Sequence, residues 1–114
     1  MSDGIKSIIY PVKDLAAAKA RFAAIAGQEP PFDTPYYVGF QIGGLDIGLD
    51  PTGHGKGMTG PVAYWKVDDI RAKLKELIDG GAQSVQDATD VGGGRTIASV
   101  KDPDGNVIGL LQDS

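Results

Sequence analysis

Asp102-Pro103-Asp104-Gly105-Asn106-Val107-Ile108-Gly109-Leu110-Leu111-Gln112 is the stretch from which the fold can be read outward. Asp at the first position, Pro at the second with φ preset, and Gly at the fourth describe a type I turn over Asp102–Gly105. The apolar run after it is a strand. Period-two alternation puts Ile108 and Leu110 on one face and Gly109 and Leu111 on the other. Asp102, Asp104 and Asn106 also imitate the start of a calcium loop. The glycine such a loop needs at its sixth position is Val107, so that match fails.

Moving back along the chain, Arg95 to Val100 reads as the preceding strand, with Gly92-Gly93-Gly94 as the turn into it. Ser84 to Thr89 is a short strand. Ile70, Leu74, Leu77 and Ile78 recur at helical spacing behind a capping Asp68 or Asp69, and Gly80-Gly81 ends that helix. Val62 to Val67 is a strand on which Ala63, Trp65 and Val67 share the face under the helix. This places Trp65 in the core and turns Val62, Tyr64 and Lys66 the other way.

The same order recurs upstream. Ser7 to Val12 is a strand whose Pro11 marks an edge or an end. Asp14 caps a helix with Leu15, Ala18, Phe22 and Ile25 on its apolar face and Gly27 as its stop. The three prolines of Gln28–Pro35 make an irregular stretch, with room for a short strand near Pro31. Tyr36 to Ile42 and Leu45 to Asp50 are strands around a Gly43-Gly44 turn, and alternation turns one of Tyr36 and Tyr37 to the helix-free side. Val12-Lys13-Asp14-Leu15 corresponds to Val67-Asp68-Asp69-Ile70, Phe22 to Leu77, and Ile47-Gly48-Leu49 to Ile108-Gly109-Leu110. Between the two copies, Pro51–Pro61 has four glycines and no periodicity, and reads as a mobile linker.

The totals bound the possibilities. At 114 residues the chain suits one domain with a real core. A net charge of −4 argues against nucleic acid, whose phosphates require clustered Lys and Arg. No apolar run reaches membrane-spanning length, so no membrane partner is expected. Met1–Lys6 lacks the order of a secretory signal, which makes the cytoplasm the expected location. The absence of cysteine removes disulfides, thiolate metal sites and Cys nucleophiles.

The internal repeat and the Asp-Pro-Asp-Gly-Asn turn together resemble the vicinal-oxygen-chelate superfamily, which includes glyoxalase I, bleomycin-resistance proteins, fosfomycin-resistance enzymes and extradiol dioxygenases. The resemblance covers essentially the whole chain. It implies an α+β fold of two tandem βαβββ modules, forming curled mixed sheets around a cleft with helices outside. Module one is expected at about 1–51, a linker at 52–61 and module two at about 62–114, all in a single domain. A ferredoxin-like sandwich is the rival, but its βαββαβ order lacks the hairpin before a fourth strand in each half.

In the superfamily's metalloenzymes each half supplies two ligands, one on its first strand and one on its last. Carried over, those positions are Ser7, Gly48, Val62 and Gly109. Divalent metals need His, carboxylate or thiolate donors, so no metal and no cofactor are expected. Glycines in place of ligands would enlarge the cavity and suit an organic molecule of some bulk. The expected ligand-binding cleft comprises Ser7, Ile9, Tyr37, Asp46, Gly48, Val62, Tyr64, Arg95, Gly109 and Leu111.

The other features carry bland readings. Asp46 and Asp50 flank Gly48 on one face and read as solvated strand-end charges. His54 sits exposed in the linker. Gly92–Arg95 reads as a flexible turn rather than an anion cradle. Gly53–Gly57 lacks phosphate-loop spacing. No Ser-His-Asp arrangement is credible with one loop histidine. The function expected is a glyoxalase- or bleomycin-resistance-like protein that binds a small organic molecule without the family metal, as a homodimer. The alternative is a metal-independent or ligand-relocated lyase or dioxygenase-type enzyme, with Asp46, Tyr64 and Arg95 as candidate acid–base groups.

Overall fold

Asp14 and Asp69 each sit just ahead of an apolar-periodic run, and each carboxylate accepts a hydrogen bond from the third backbone N–H beyond it. The donors are Ala17 and Ala72, both at 3.1 Å. These caps start the two helices of a computed structural model that describes residues 2–114. In chain order the elements are β1 (Ser2–Pro11), α1 (Leu15–Ala26), β2 (Phe32–Asp33), β3 (Val38–Ile42), β4 (Leu45–Asp50), β5 (Val62–Val67), α2 (Ile70–Asp79), β6 (Gln83–Gly92), β7 (Arg95–Lys101) and β8 (Val107–Asp113). A short 3-10 helix, His54–Lys56, lies between β4 and β5. The class is α+β, with two consecutive βαβββ modules. The chain clusters into two compact units: residues 7–61, and residues 62–114 together with the segment up to Lys6.

In the first unit the strands run in the order β2-β3-β4-β1. β1 pairs parallel with β4, and β4 antiparallel with β3. Such a sheet is mixed because the helix forms the crossover from β1. Gly43 and Gly44 both have positive φ, as a two-residue hairpin turn of the primed type requires. That turn fixes the register, pairing Ile42 with Leu45, Gln41 with Asp46 and Gly39 with Gly48. α1 packs on the face bearing Val38, Phe40 and Leu49, and contributes Ala18, Leu15 and Phe22. Tyr10 and Phe22 meet with ring centroids 4.8 Å apart.

The second unit repeats the plan as β5-β8-β7-β6, with β5 parallel to β8. α2 covers Val67, Ala98, Val100 and Leu110 with Ile70 and Leu74. The turn ahead of β8 matches its sequence reading. Gly105 N–H donates to Asp102 O at 3.0 Å, and Asp102 Oδ1 accepts from the amides of Asp104 at 3.0 Å and Asn106 at 2.8 Å. These donors hold the Asp102 carboxyl below the ordinary carboxylate range, the Asn106 amide foremost. Among the described residues, no helix is long and apolar enough to cross a membrane.

Several expectations give way. Trp65 shares a parity with Val67, yet it is 41% exposed, because α2 covers only the end of β5 at Val67. Ile25 is 77% exposed, since the narrow buried stripe of α1 runs through Ala18, Phe22 and Ala26 instead. β3 starts at Val38 rather than Tyr36. The Thr34 hydroxyl accepts from the amides of Tyr36 at 3.2 Å and Tyr37 at 2.9 Å, folding the chain into a turn before the strand. β1 and β6 are longer than their apolar patterns, and β6 has register shifts against β7. Residues 52–61, the expected linker, group with the first unit, and Gly53 N–H donates to Asp50 O at 3.2 Å. Gly53 and Met58 make backbone bonds within the segment, and Met58 is buried.

Candidate functional site

On the helix-free face of the first module, register brings Ser7 beside Asp46, and Ile9 beside Gly48, across the parallel β1–β4 pair. Gly39 lies opposite Gly48 on the other side, from β3. Ser7 is buried, and Asp46 accepts from Gln41 Nε2 at 3.1 Å. Tyr37 ends the Thr34 turn, with its backbone held at both groups: its amide donates to the Thr34 hydroxyl, and its carbonyl accepts from Thr34 N and Oγ1. From there its ring reaches back over the sheet. The hydroxyl and Cζ occupy the space where a side chain at Gly48 would begin. Tyr36, by contrast, is 81% exposed, so Tyr37 is the one that covers this face.

The second module holds a counterpart. Tyr64 on β5 is the register partner of Gly109 on β8. A Cβ built at Gly109 would lie 2.5 Å from Tyr64 Cδ1, 2.6 Å from Cγ and 2.7 Å from Cε1. Tyr64 is only 4% exposed, and Val62 and Leu111 on the same face are buried. Arg95 pairs with Asp113 across β7 and β8: Nε donates to Oδ1 at 2.7 Å and a terminal N–H to Oδ2 at 3.1 Å. This fork is the first cause holding the Asp113 carboxyl below its ordinary range. The Arg95 charge is therefore matched within the chain, which weakens its case as an acid–base group.

These contacts revise the meaning of the two glycines. Their vacated side-chain space does not enlarge a cavity, because a tyrosine ring from an adjoining segment fills it. The two halves reach this outcome by exchange of places. In the first, the neighbour on the parallel strand is Ile9 and the tyrosine comes from the β3 side. In the second, the parallel neighbour is the tyrosine, and Ile97, two residues before Ser99, stands where Tyr37 does. The hairpin register makes Gly39 and Tyr37 findable from sequence. Counting back from Gly43-Gly44 puts Gly39 opposite Gly48, and Tyr37 two residues earlier on the same face.

The charges flanking Gly48 also differ from expectation. Asp50 is not a solvated strand end but 7% exposed. Its Oδ1 accepts from Thr52 N and Thr52 Oγ1, both at 2.9 Å, and its Oδ2 pairs with Lys56 Nζ at 3.0 Å. Burial alone would raise its pKa, but the Thr52 and Lys56 donors outweigh it and hold the carboxyl below the ordinary range. Thr52 and Lys56 were invisible as partners because they lie in the glycine-rich segment.

Ser7, Gly48, Val62 and Gly109 do not fit a divalent metal. They offer one neutral hydroxyl, an alkyl group and two hydrogens, and tyrosines close over both glycines. Among the described residues, no group of three or more His, Cys, Asp or Glu is placed to hold a metal ion.

Paired βαβββ modules, each with its helix-free face lined from its first and last strands, define a class of small α+β proteins. The model of the Glyoxalase/Bleomycin resistance protein/Dioxygenase superfamily matches residues 4–110, and the chain belongs to that superfamily. Among solved structures, a Streptomyces coelicolor methylmalonyl-CoA epimerase variant in complex with 2-nitronate-propionyl-CoA is 19% identical with a TM-score of 0.76, covering 100% of this chain and 99% of that one. A superfamily member from Vibrio splendidus 12B01 is 17% identical (TM-score 0.71, covering 99% and 100%). A protein described as an NAD-dependent benzaldehyde dehydrogenase from Legionella pneumophila is 16% identical (TM-score 0.73, covering 95% and 98%). At these identities the likeness is one of fold. No curated protein matches the sequence significantly.

Proposed function

We propose that this protein is a metal-independent member of its superfamily that binds a small organic molecule on the helix-free faces of its modules. The observation that carries this reading is the filling of both glycine positions by aromatic rings. A carboxylate introduced at either position would have to displace a tyrosine. What those faces offer is π-surface, aliphatic edge and a few hydroxyls, which suit an apolar or aromatic molecule. Ser7, Ile9, Tyr37, Asp46 and Gly48 serve the first face; Val62, Tyr64, Arg95, Gly109 and Leu111 serve the second. The same reading makes the protein a cytoplasmic homodimer, on its resemblance to the bleomycin-resistance branch.

Two measurements test it. Thermal-shift screening against aromatic and apolar metabolites and drug-like compounds should yield ligands that raise the melting temperature. Elemental analysis of protein purified without chelators should find Zn, Fe, Mn and Ni well below one equivalent. A stoichiometric, tightly held transition metal would overturn the reading, as would uniform failure of the ligand panel.

A further inference from the structure

Gly39 and Gly48 face each other on adjacent strands of the first module and leave a patch of bare backbone two strands wide. Ile9 borders it from β1. Phe32 borders it from β2, with its Cβ 3.5 Å from where a Gly39 side chain would start. The Tyr37 ring lies across this patch, its Cε2 edge 3.7 Å from that same point and its hydroxyl end above Gly48. Phe32 meets the ring edge-on, with centroids 6.1 Å apart and planes at 64°. This is the surrounding of a bound aromatic molecule: flat floor, aliphatic side, edge-to-face aromatic wall.

The occupant is half-buried and hangs from a backbone that Thr34 holds independently of the ring. Only the far end of its side chain covers Gly48. Displacing it means turning the Tyr37 side-chain torsions and giving up the ring's own contacts, with the Thr34-held backbone left in place. Tyr64 is built otherwise: it is buried, and the base of its ring, down to Cγ, lies over Gly109.

We infer that the Gly39–Gly48 patch is a binding seat for a flat phenol-class ring. Tyr37 fills it from within the chain, and a phenolic or similarly hydroxylated aromatic ligand takes it by displacing Tyr37. The inference rests on the proposed binding of an organic molecule at this face and gives that molecule a chemical class.

The test uses p-cresol, the tyrosine side chain as a free molecule. Tyr37→Ala empties the seat, and p-cresol at ten times its dissociation constant should raise the melting temperature of that variant by about 5 °C. The wild type should respond several-fold less at the same concentration, since there the ligand competes with Tyr37. Adding Gly48→Ala to Tyr37→Ala puts a methyl group into the seat and should abolish the shift. In the wild type, the amide resonances of Gly39 and Gly48 should move on titration with p-cresol, while that of Gly109 stays. Equal responses of Tyr37→Ala and wild type, a persistent shift in the double variant, or stationary Gly39 and Gly48 resonances would each overturn the inference. If Tyr37→Ala does not fold, the wild-type titration decides alone. Failure here alongside a ligand found in the wider panel removes the seat and leaves the proposed function; failure of both removes both.

Discussion

Each of the two modules lays a tyrosine ring over a glycine at corresponding places, but they hold it differently. Tyr64 comes from the hydrogen-bonded parallel neighbour of its glycine and lies down from Cγ outward. Tyr37 comes from a turn ahead of the antiparallel neighbour and arrives tip first. A ring laid from its base lies against the glycine from Cγ outward, whereas a ring laid from its tip meets the glycine through its hydroxyl end. The same position in a repeated fold is thus covered by the base of a ring in one half and by the tip of a ring in the other.

The strongest way to break this contrast is Gly109→Ala. The new methyl group meets Tyr64 ring atoms at 2.5 to 2.7 Å, and the buried ring has nowhere to retreat. Overpacking of this kind costs about 3 kcal/mol and lowers the melting temperature by about 10 °C. Urea denaturation and calorimetry measure both. A loss as small as that of an ordinary surface substitution would show that Tyr64 is not fixed.

Gly48→Ala should cost less, about 1 kcal/mol, because the obstructing atoms are the end of a side chain that can swing away. In a double-mutant cycle, Tyr37→Ala should absorb most of that penalty. Equal penalties for Gly48→Ala and Gly109→Ala would erase the distinction between the modules.

The smallest effect sharpens a neighbouring contrast. Asp50, paired with Pro11 at the end of β4, is a buried charge, while its counterpart Leu111 on β8 is a buried alkyl group. Asp50→Asn keeps a carbonyl for Thr52 but loses the pair with the half-exposed Lys56, at a cost of about 0.5 kcal/mol at neutral pH. Because folding lowers the Asp50 pKa, its contribution is complete above the unfolded value. It is lost as pH falls through the folded one. The gap between wild type and Asp50→Asn should therefore close below about pH 4, as read by denaturation at a series of pH values. A gap independent of pH would remove the charge from the explanation.

Much of the architecture was legible because local chemistry and the global plan agree. Asp14 and Asp69 cap where their positions suggest, the Asp102–Gly105 turn forms as spelled, and the repeat anticipates one helix with its strands in each half. The errors have one root: periodicity assigns a face but not what covers it. Trp65 lies on the helix side of β5, beyond the reach of α2, and Ile25 lies just off the buried stripe of α1. Glycine carries the same ambiguity at the candidate site. A missing side chain reads alike whether it leaves a hole or makes room for a neighbour's ring. The neighbours here come from 11 residues before Gly48 and 45 before Gly109. The first separation is within reach of hairpin counting. The second needs a parallel pairing whose register no turn specifies.

The first backbone amide of α2, at Ile70, donates to the side-chain oxygen of Gln112 at 2.7 Å. A helix start is thereby completed by a residue 42 positions later, on the last strand. The unit containing it also draws on the segment up to Lys6. During synthesis, the contacts within residues 7–61 are available as soon as that segment has emerged. The second half must wait for β8, with its first turn of helix short of one acceptor until then. The sequence separation of that one hydrogen bond ties the completion of the α2 start to the arrival of β8.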